Sequence, residues 1–240
     1  MSRQRATPRE LDVTINALNA EGLGVADLDG KPLHVRNGLP GETVTARILK
    51  RRKGVRYADA VDVVHPNVGR RGPACAYFPR CGGCNMHHMD YARQLQHKQQ
   101  QLQDALALHE VRPVSWAPPR SAVRLGYRRK ARLGVRLVGD QVLVGFRESF
   151  SNRVAKLSHC VVLTPALSAL ISPLKQLLSQ FSIAGQIPQI ELAQGDVQIA
   201  MLVRHLAPFT AQDMTLWRQF ARQHDVEVLL QSGGYDTLVG

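Results

Sequence analysis

The most reactive groups in this chain are four thiols, Cys75, Cys81, Cys84 and Cys160, its only cysteines. Three fall within Cys75-Ala-Tyr-Phe-Pro-Arg-Cys81-Gly-Gly-Cys84, separated by five residues and then by two, and the fourth follows after a gap of 75 residues. Thiolates in such numbers bind Zn²⁺ or an iron–sulfur cluster. Structural zinc sites usually use two Cys-x₂₋₄-Cys knuckles, and only one is present. Three close cysteines plus a remote one are more typical of a single loop wrapping three corners of a [4Fe–4S] cubane. Gly82 and Gly83 let the backbone approach closely and direct N–H groups at sulfur. Reduced thiols that cluster without a metal are the bland alternative. The N-terminus lacks the apolar stretch of a secretory signal, so a reducing cytoplasm is expected, where cysteines serve metals more often than disulfides.

The formal net charge is +12, unevenly placed. Residues 112–156 hold 11 Lys+Arg against 2 Asp+Glu, and residues 1–74 hold 13 against 8, so two basic segments flank the cysteines. A polyanion, most commonly nucleic acid, is the expected partner, with a basic solubilising surface as the alternative. No run of 18 apolar residues is present, so no membrane span is expected.

The elements that must position these groups follow from periodicity. Residues 1–9 read as a disordered basic arm. From Leu11 to about Val64, short alternating strands separated by turns suggest a small closed barrel of the kind that binds single-stranded nucleic acid through basic loops. Lys50, Arg51, Arg52, Lys53 and Arg56 fall on one such loop, between strands at 43–49 and 57–64. Glu21–Ala26 reads as a turn. Asp90 can cap a helix from about Tyr91 to Leu108 with one narrow apolar stripe of Tyr91, Leu95, Leu102 and Leu106. Residues 123–156 read as a basic antiparallel sheet. In it Arg128, Lys130, Arg132 and Arg136 alternate with Arg129, Ala131, Leu133 and Val135, which puts most of the charge on one face. Thr164-Pro165 opens a helix that Pro173 kinks or splits. A hairpin turns about Gln194-Gly195, and Thr210 caps a helix with Trp217 and Phe220 on its buried face. Val226–Gln231 is a further strand. Tyr127, Phe146 and Phe150 are candidates for base stacking or for packing. Phe78 is expected to shield the cysteine loop, and His87, His88 and His159 to lie outside the ligand set.

Cys75-x₅-Cys81-Gly-Gly-Cys84, followed by His88, Tyr91, Gln94-Leu95 and Lys98, resembles the iron–sulfur segment of the RNA 5-methyluridine methyltransferase family. Glu21-Gly-Leu-Gly-Val-Ala and Leu39-Pro-Gly-Glu-Thr-Val resemble that family's TRAM domain. Tyr127–Val135, Gly145-Phe-Arg-Glu and the Ser-His-Cys160-Val-Val-Leu setting resemble its central domain. His87 departs from the Gln common there, which removes the basis for a polar role at that position.

The resemblance implies an α+β chain: an OB-like TRAM barrel over 1–66, a central iron–sulfur RNA-binding domain from 67–90 and 120–240, and a helix and linker at 91–119 that pack on a methyltransferase domain. It also implies a [4Fe–4S] cluster on Cys75, Cys81, Cys84 and Cys160, and C5-methylation of a uridine in 23S ribosomal RNA from S-adenosylmethionine. Arg128, Arg129, Lys130, Arg132 and Arg136, with the Lys50–Arg56 loop, would hold the RNA, with no membrane and no obligate protein partner. The family's nucleophilic cysteine and Gly-rich S-adenosylmethionine loop have no counterpart in these residues. The expectation is therefore that the Rossmann-like domain is absent, that the chain alone is inactive, and that S-adenosylmethionine serves only a full-length protein. Two other functions are open: a stand-alone RNA-binding module with a structural metal, and an iron–sulfur redox or radical protein. The second lacks a Cys-x₃-Cys-x₂-Cys motif.

Overall fold

The computed structural model describes residues 9–240, so the expected basic arm lies almost wholly outside the described residues. The chain forms two compact units. One runs to Pro79 and resumes over Cys84–Arg120; the other comprises Arg80–Gly83 and Ser121–Gly240.

The first unit is a barrel of six strands: β1 (Glu10–Thr14), β2 (Ala17–Leu18), β3 (Gly24–Leu28), β4 (Lys31–Arg36), β5 (Thr43–Arg52) and β6 (Val55–His65). They lie in the order β1-β5-β6-β4-β3-β2. The opening strand is interrupted at Ile15-Asn16. Its first half pairs with β5 and its second half with β3. Ile15 N–H donates to Glu42 O at 2.9 Å and Asn16 N–H to Val25 O at 2.8 Å, which carries the pairing across the break. The two sides of the sheet are thereby joined. Val13, Ile15, Leu28, Leu33, Val35 and Val44 fill the interior with Ala26, Ala46, Ala58 and Ala60. A small barrel has little internal width, and the four alanines suit it. Strand β3 falls where a turn was expected. Its Gly, Ala and Asp have low strand propensity, and pairing on both sides overrides it.

Beyond the barrel, α1 (Tyr91–Leu108) begins at the expected cap, Asp90, whose carboxylate accepts Ala92 N–H at 2.8 Å. None of its residues is fully buried. Polar contacts hold it within this unit: Gln94 Nε2 donates to the Met86 and Met89 carbonyls, and Gln101 Nε2 to Asn19 O.

The second unit is a mixed sheet covered on one face by helices. Its strands are β7 (Lys130–Val138), β8 (Gln141–Gly145), β9 (Gln189–Gln194), β10 (Ile199–Arg204), β11 (Val226–Gln231) and β12 (Leu238–Val239), in the order β12-β11-β10-β9-β7-β8. Helices α2 (Pro165–Ala169), α3 (Ile171–Leu178) and α4 (Ala211–His224) supply Leu167, Ile171, Leu174, Leu178, Trp217 and Phe220 to the core. The break between α2 and α3 falls at Leu170, upstream of Pro173. A proline ring conflicts with the carbonyl four residues before it, here Ala169, so the helix parts one turn early. Thr210 and Asp213 form a reciprocal capping box at the start of α4.

The expected fold class is corrected. Two β-rich units with little helix form, but the exclusion of a Rossmann-like part lacks support. β10 and β11 are parallel and joined through α4, a βαβ unit that hairpin reading along the sequence did not anticipate. The exclusion rested on the lack of a Gly-rich loop and of a spare nucleophilic cysteine in these residues, and neither lack excludes such a domain. Among the described residues no helix is long and apolar enough to cross a membrane.

Candidate nucleic-acid interface

In the first unit the basic loop is the tip of the β5–β6 hairpin, where Arg52 pairs with Val55 across Lys53-Gly54. Both turn residues have positive φ, 48° and 83°. That turn matches the twist of the flanking strands, and it places a lysine where glycine or asparagine is preferred. Lys53→Asn is expected to stabilise the unit by about 0.5–1 kcal/mol, read as a higher denaturation midpoint. Arg51, Arg52 and Lys53 are exposed. Arg51 Nε donates to Gly54 O at 3.3 Å, and Arg56 pairs with Asp29 at 3.3 Å. The tip thus concentrates cations at the end of a two-stranded ribbon, a distribution of charge suited to phosphates.

In the second unit the expected alternation is present: Ala131, Leu133 and Val135 are buried, and Lys130, Arg132 and Arg136 are exposed. The five expected contacts nevertheless differ. Arg128 donates to Gly83 O at 3.4 Å through both terminal nitrogens and lies 5.8 Å over the Phe146 ring. It pins the cysteine loop of its own unit. Arg129 donates to Gly195 O and pairs with Asp196 at 2.8 Å. Arg132 pairs with Glu191 at 3.0 Å. Lys130 and Arg136 have no ion pair among the described residues. Tyr127 is half exposed, and Phe146 packs under Arg128 and against Gly83.

The cysteines divide between the units, Cys75 and Cys84 in the first and Cys81 and Cys160 in the second. None is in a disulfide, and only Cys160 is buried. Its N–H donates to Ser168 Oγ of α2 at 2.9 Å. Cys81 bridges Glu148, and Gly82 N–H donates to Arg147 O at 2.9 Å. A Cβ on Gly82 would fall 2.8 Å from that oxygen, and one on Gly83 3.2 Å from the Phe146 ring. The glycines are therefore required by close packing within the second unit. Four thiols are a donor set suited to zinc or iron–sulfur chemistry. Among the described residues no group of three Cys, His, Asp or Glu is placed to hold a metal.

Sequence reading did not identify a buried polar network in the first unit. Glu42 is fully buried and accepts Arg70 Nε at 2.6 Å, Arg70 Nη2 at 2.7 Å, Leu39 N–H at 2.8 Å and Asn67 N–H at 3.0 Å. Burial pushes its carboxyl up, but the Arg70 and backbone hydrogen bonds outweigh that and hold it below the usual carboxylate value. His88 is also fully buried, stacked on Phe78 at 5.2 Å. Neither ring nitrogen has a hydrogen-bond partner, and the Gly38 backbone beside the ring falls short of bonding geometry. Burial first, and then the Arg70 charge, lower its pKa to about 4. A glutamate inside a Pro-Gly-Glu turn reads as solvated, so no local signal pointed here.

Residues 4–61 match the TRAM domain model. Over 94% of its length the chain is 40% identical to the 23S rRNA (uracil(1939)-C(5))-methyltransferase RlmD of Bordetella pertussis, covering 49% of that protein. It is 39% identical to the RlmD of Hahella chejuensis over 99% of its own length and 54% of that protein. The chain thus spans about half the length of the curated relatives it matches. Among solved structures it shares its fold with the Pyrococcus abyssi tRNA (uracil-54, C5)-methyltransferase in complex with S-adenosyl-L-homocysteine. The TM-score is 0.63 at 19% identity, over 92% of this chain and 50% of that one. A likeness to half of such a protein gives no ground for excluding a Rossmann-like domain, and that expectation is withdrawn. Residues 4–61 carry the TRAM match, and the whole chain is similar to about half of the RlmD uracil-C5 methyltransferases.

Proposed function

We propose that these residues are the RNA-holding portion of an S-adenosylmethionine-dependent methyltransferase that acts on C5 of a uridine in 23S ribosomal RNA. The observation that carries this reading is the exposed basic tip, Arg51-Arg52-Lys53, on a barrel that matches the TRAM domain. The similarity to RlmD proteins supports the reaction and the RNA class. In this reading the hairpin tip, Lys130 and Arg136 contact the RNA backbone, and Arg128 acts by holding the cysteine loop. Half-exposed Leu102 and well-exposed Leu108 support packing of 91–119 on an S-adenosylmethionine-binding part of the protein. The four thiols are the proposed ligands of a [4Fe–4S] cluster on donor chemistry and spacing alone, and a cytoplasmic location is proposed with them. With every thiol in that set, these residues alone do not methylate RNA.

The test is RNA affinity against salt. Changing Arg51, Arg52 and Lys53 together to Ser should lower the magnitude of the slope of log affinity on log salt by about 0.7–0.9 per lost phosphate contact. Binding should weaken by at least an order of magnitude at low salt. An unchanged slope on a 23S rRNA fragment would remove the hairpin from the interface. Iron content with absorbance near 400 nm would test the cluster separately, and one zinc per chain would replace it.

A further inference from the structure

The basic hairpin carries more than charge. Along β6, Ala58 and Ala60 point into the barrel, so Tyr57 and Asp59 lie on its outer wall. On β4, Leu33 and Val35 are interior and His34 is outer. On β5, Val44 and Ala46 are interior with Ile48 packed against them, and simple alternation would send Lys50 the same way. A bulge between Ile48 and Lys50 reverses the alternation. Lys50 is thereby registered with Tyr57, and Tyr57 with His34. The Tyr57 and His34 rings meet edge to face, with centroids 5.5 Å apart and planes at 90°. Asn19 Nδ2 lies 3.3 Å from His34 Nδ1. An amide nitrogen only donates, so in this contact Nδ1 is the acceptor and Nε2 is left to donate. The row is therefore an ammonium, a phenol ring and an imidazole donor side by side, at the root of a cationic ribbon. Both rings are partly exposed.

We infer that Tyr57 is a stacking site for one unpaired RNA base, with Lys50 on the adjoining phosphate and His34 fixing the ring from the other side. This rests on the RNA-holding reading above and adds where a base is held. Phosphate contacts position a strand without reading it, and an aromatic face adds affinity that depends on a base being present. A perpendicular neighbour restrains the Tyr57 ring before RNA arrives, so little order is lost on binding. The bulge is the device that makes the site, because without it Lys50 would turn inward.

The experiment uses the 240-residue chain, short oligouridylate, and the matching abasic strand. The wild-type chain should bind oligouridylate about 5- to 100-fold more tightly than the abasic strand, the range for one stacked base. Tyr57→Leu should abolish that preference, leave abasic binding and the salt slope unchanged, and leave the circular dichroism spectrum intact. Tyr57→Phe should behave as wild type. In Tyr57→Trp, emission beyond that of Trp116 and Trp217 should be quenched by oligouridylate and not by the abasic strand, a readout that stands even if the leucine variant fails to fold. Equal wild-type affinity for the two strands, or an unquenched Tyr57→Trp, would overturn the stacking site and leave the basic hairpin as an RNA contact. No binding of either strand would overturn the RNA-holding reading itself.

Discussion

Replacing Glu42 with Ala should destabilise the barrel unit by about 3–5 kcal/mol, the usual cost of removing one partner of a buried ion pair. Arg70 would keep its bond to Asn37 O and lose both carboxylate contacts, and the Leu39 and Asn67 N–H groups would lose their acceptor. The pair joins the turn at 39–42 to the segment 67–70 that leads toward Cys75. The damage should therefore extend to the cysteine segment of the same unit. Chemical denaturation followed by circular dichroism measures the loss. Glu42→Gln should recover part of it, because an amide oxygen can still accept the backbone N–H groups while no longer balancing the guanidinium. A variant as stable as wild type would show that the network contributes nothing net, as some buried ion pairs do not.

Acid should open the same unit. His88 titrates at an ordinary value of 6.5 when unfolded and at about 4 when folded. The unfolded chain therefore binds the extra proton first. The stability this group contributes is complete above pH 6.5 and is lost progressively as the pH falls to about 4. The loss over that window is about 3 kcal/mol. Glu42, also held below its ordinary 4.5, acts in the same direction lower down: its contribution is present above that value and is lost as the pH falls through the folded-state pKa. The midpoint of urea denaturation should therefore drop steadily from pH 6.5 to 4. His88→Leu should flatten that part of the curve, since an apolar side chain beside Phe78 has no proton to gain. A pH-independent midpoint in the wild-type chain would contradict the burial of His88.

Elements governed by local pattern were legible from sequence. The bounds of α1 follow from Asp90 and the helical stripe, the alternation of β7 follows from its charges, and Val226–Gln231 is a strand at the residues expected. Where pairing decides, legibility ended. β3 has poor strand residues and is formed by its neighbours. The bulge at Ile48–Lys50 changes which face Lys50 occupies, and only the register with β6 reveals it. Glu42, Arg70 and His88 are scattered in sequence, and their network exists only once the barrel has formed. For the cysteines, spacing gives the donor set, and the fold places two of the thiols in each unit. The cations at 128–136 were identified by charge, yet Arg128, Arg129 and Arg132 each have a partner within their own unit, which composition cannot show.

The interruption at Ile15-Asn16 has a consequence for solubility. A sheet that ended at β1 on one side and β2 on the other would present two rows of unpaired N–H and C=O groups, a template for pairing with other chains. Dividing one strand between β5 and β3 covers the flank of β5 and part of that of β3, and this unit relies on nine residues, 10–18, to do so. A cut within that seam would release the flank of β5, whose Thr43-Val-Thr-Ala-Arg-Ile-Leu is a strong strand former. Self-association through that flank, rather than simple loss of the barrel, is the failure this architecture guards against.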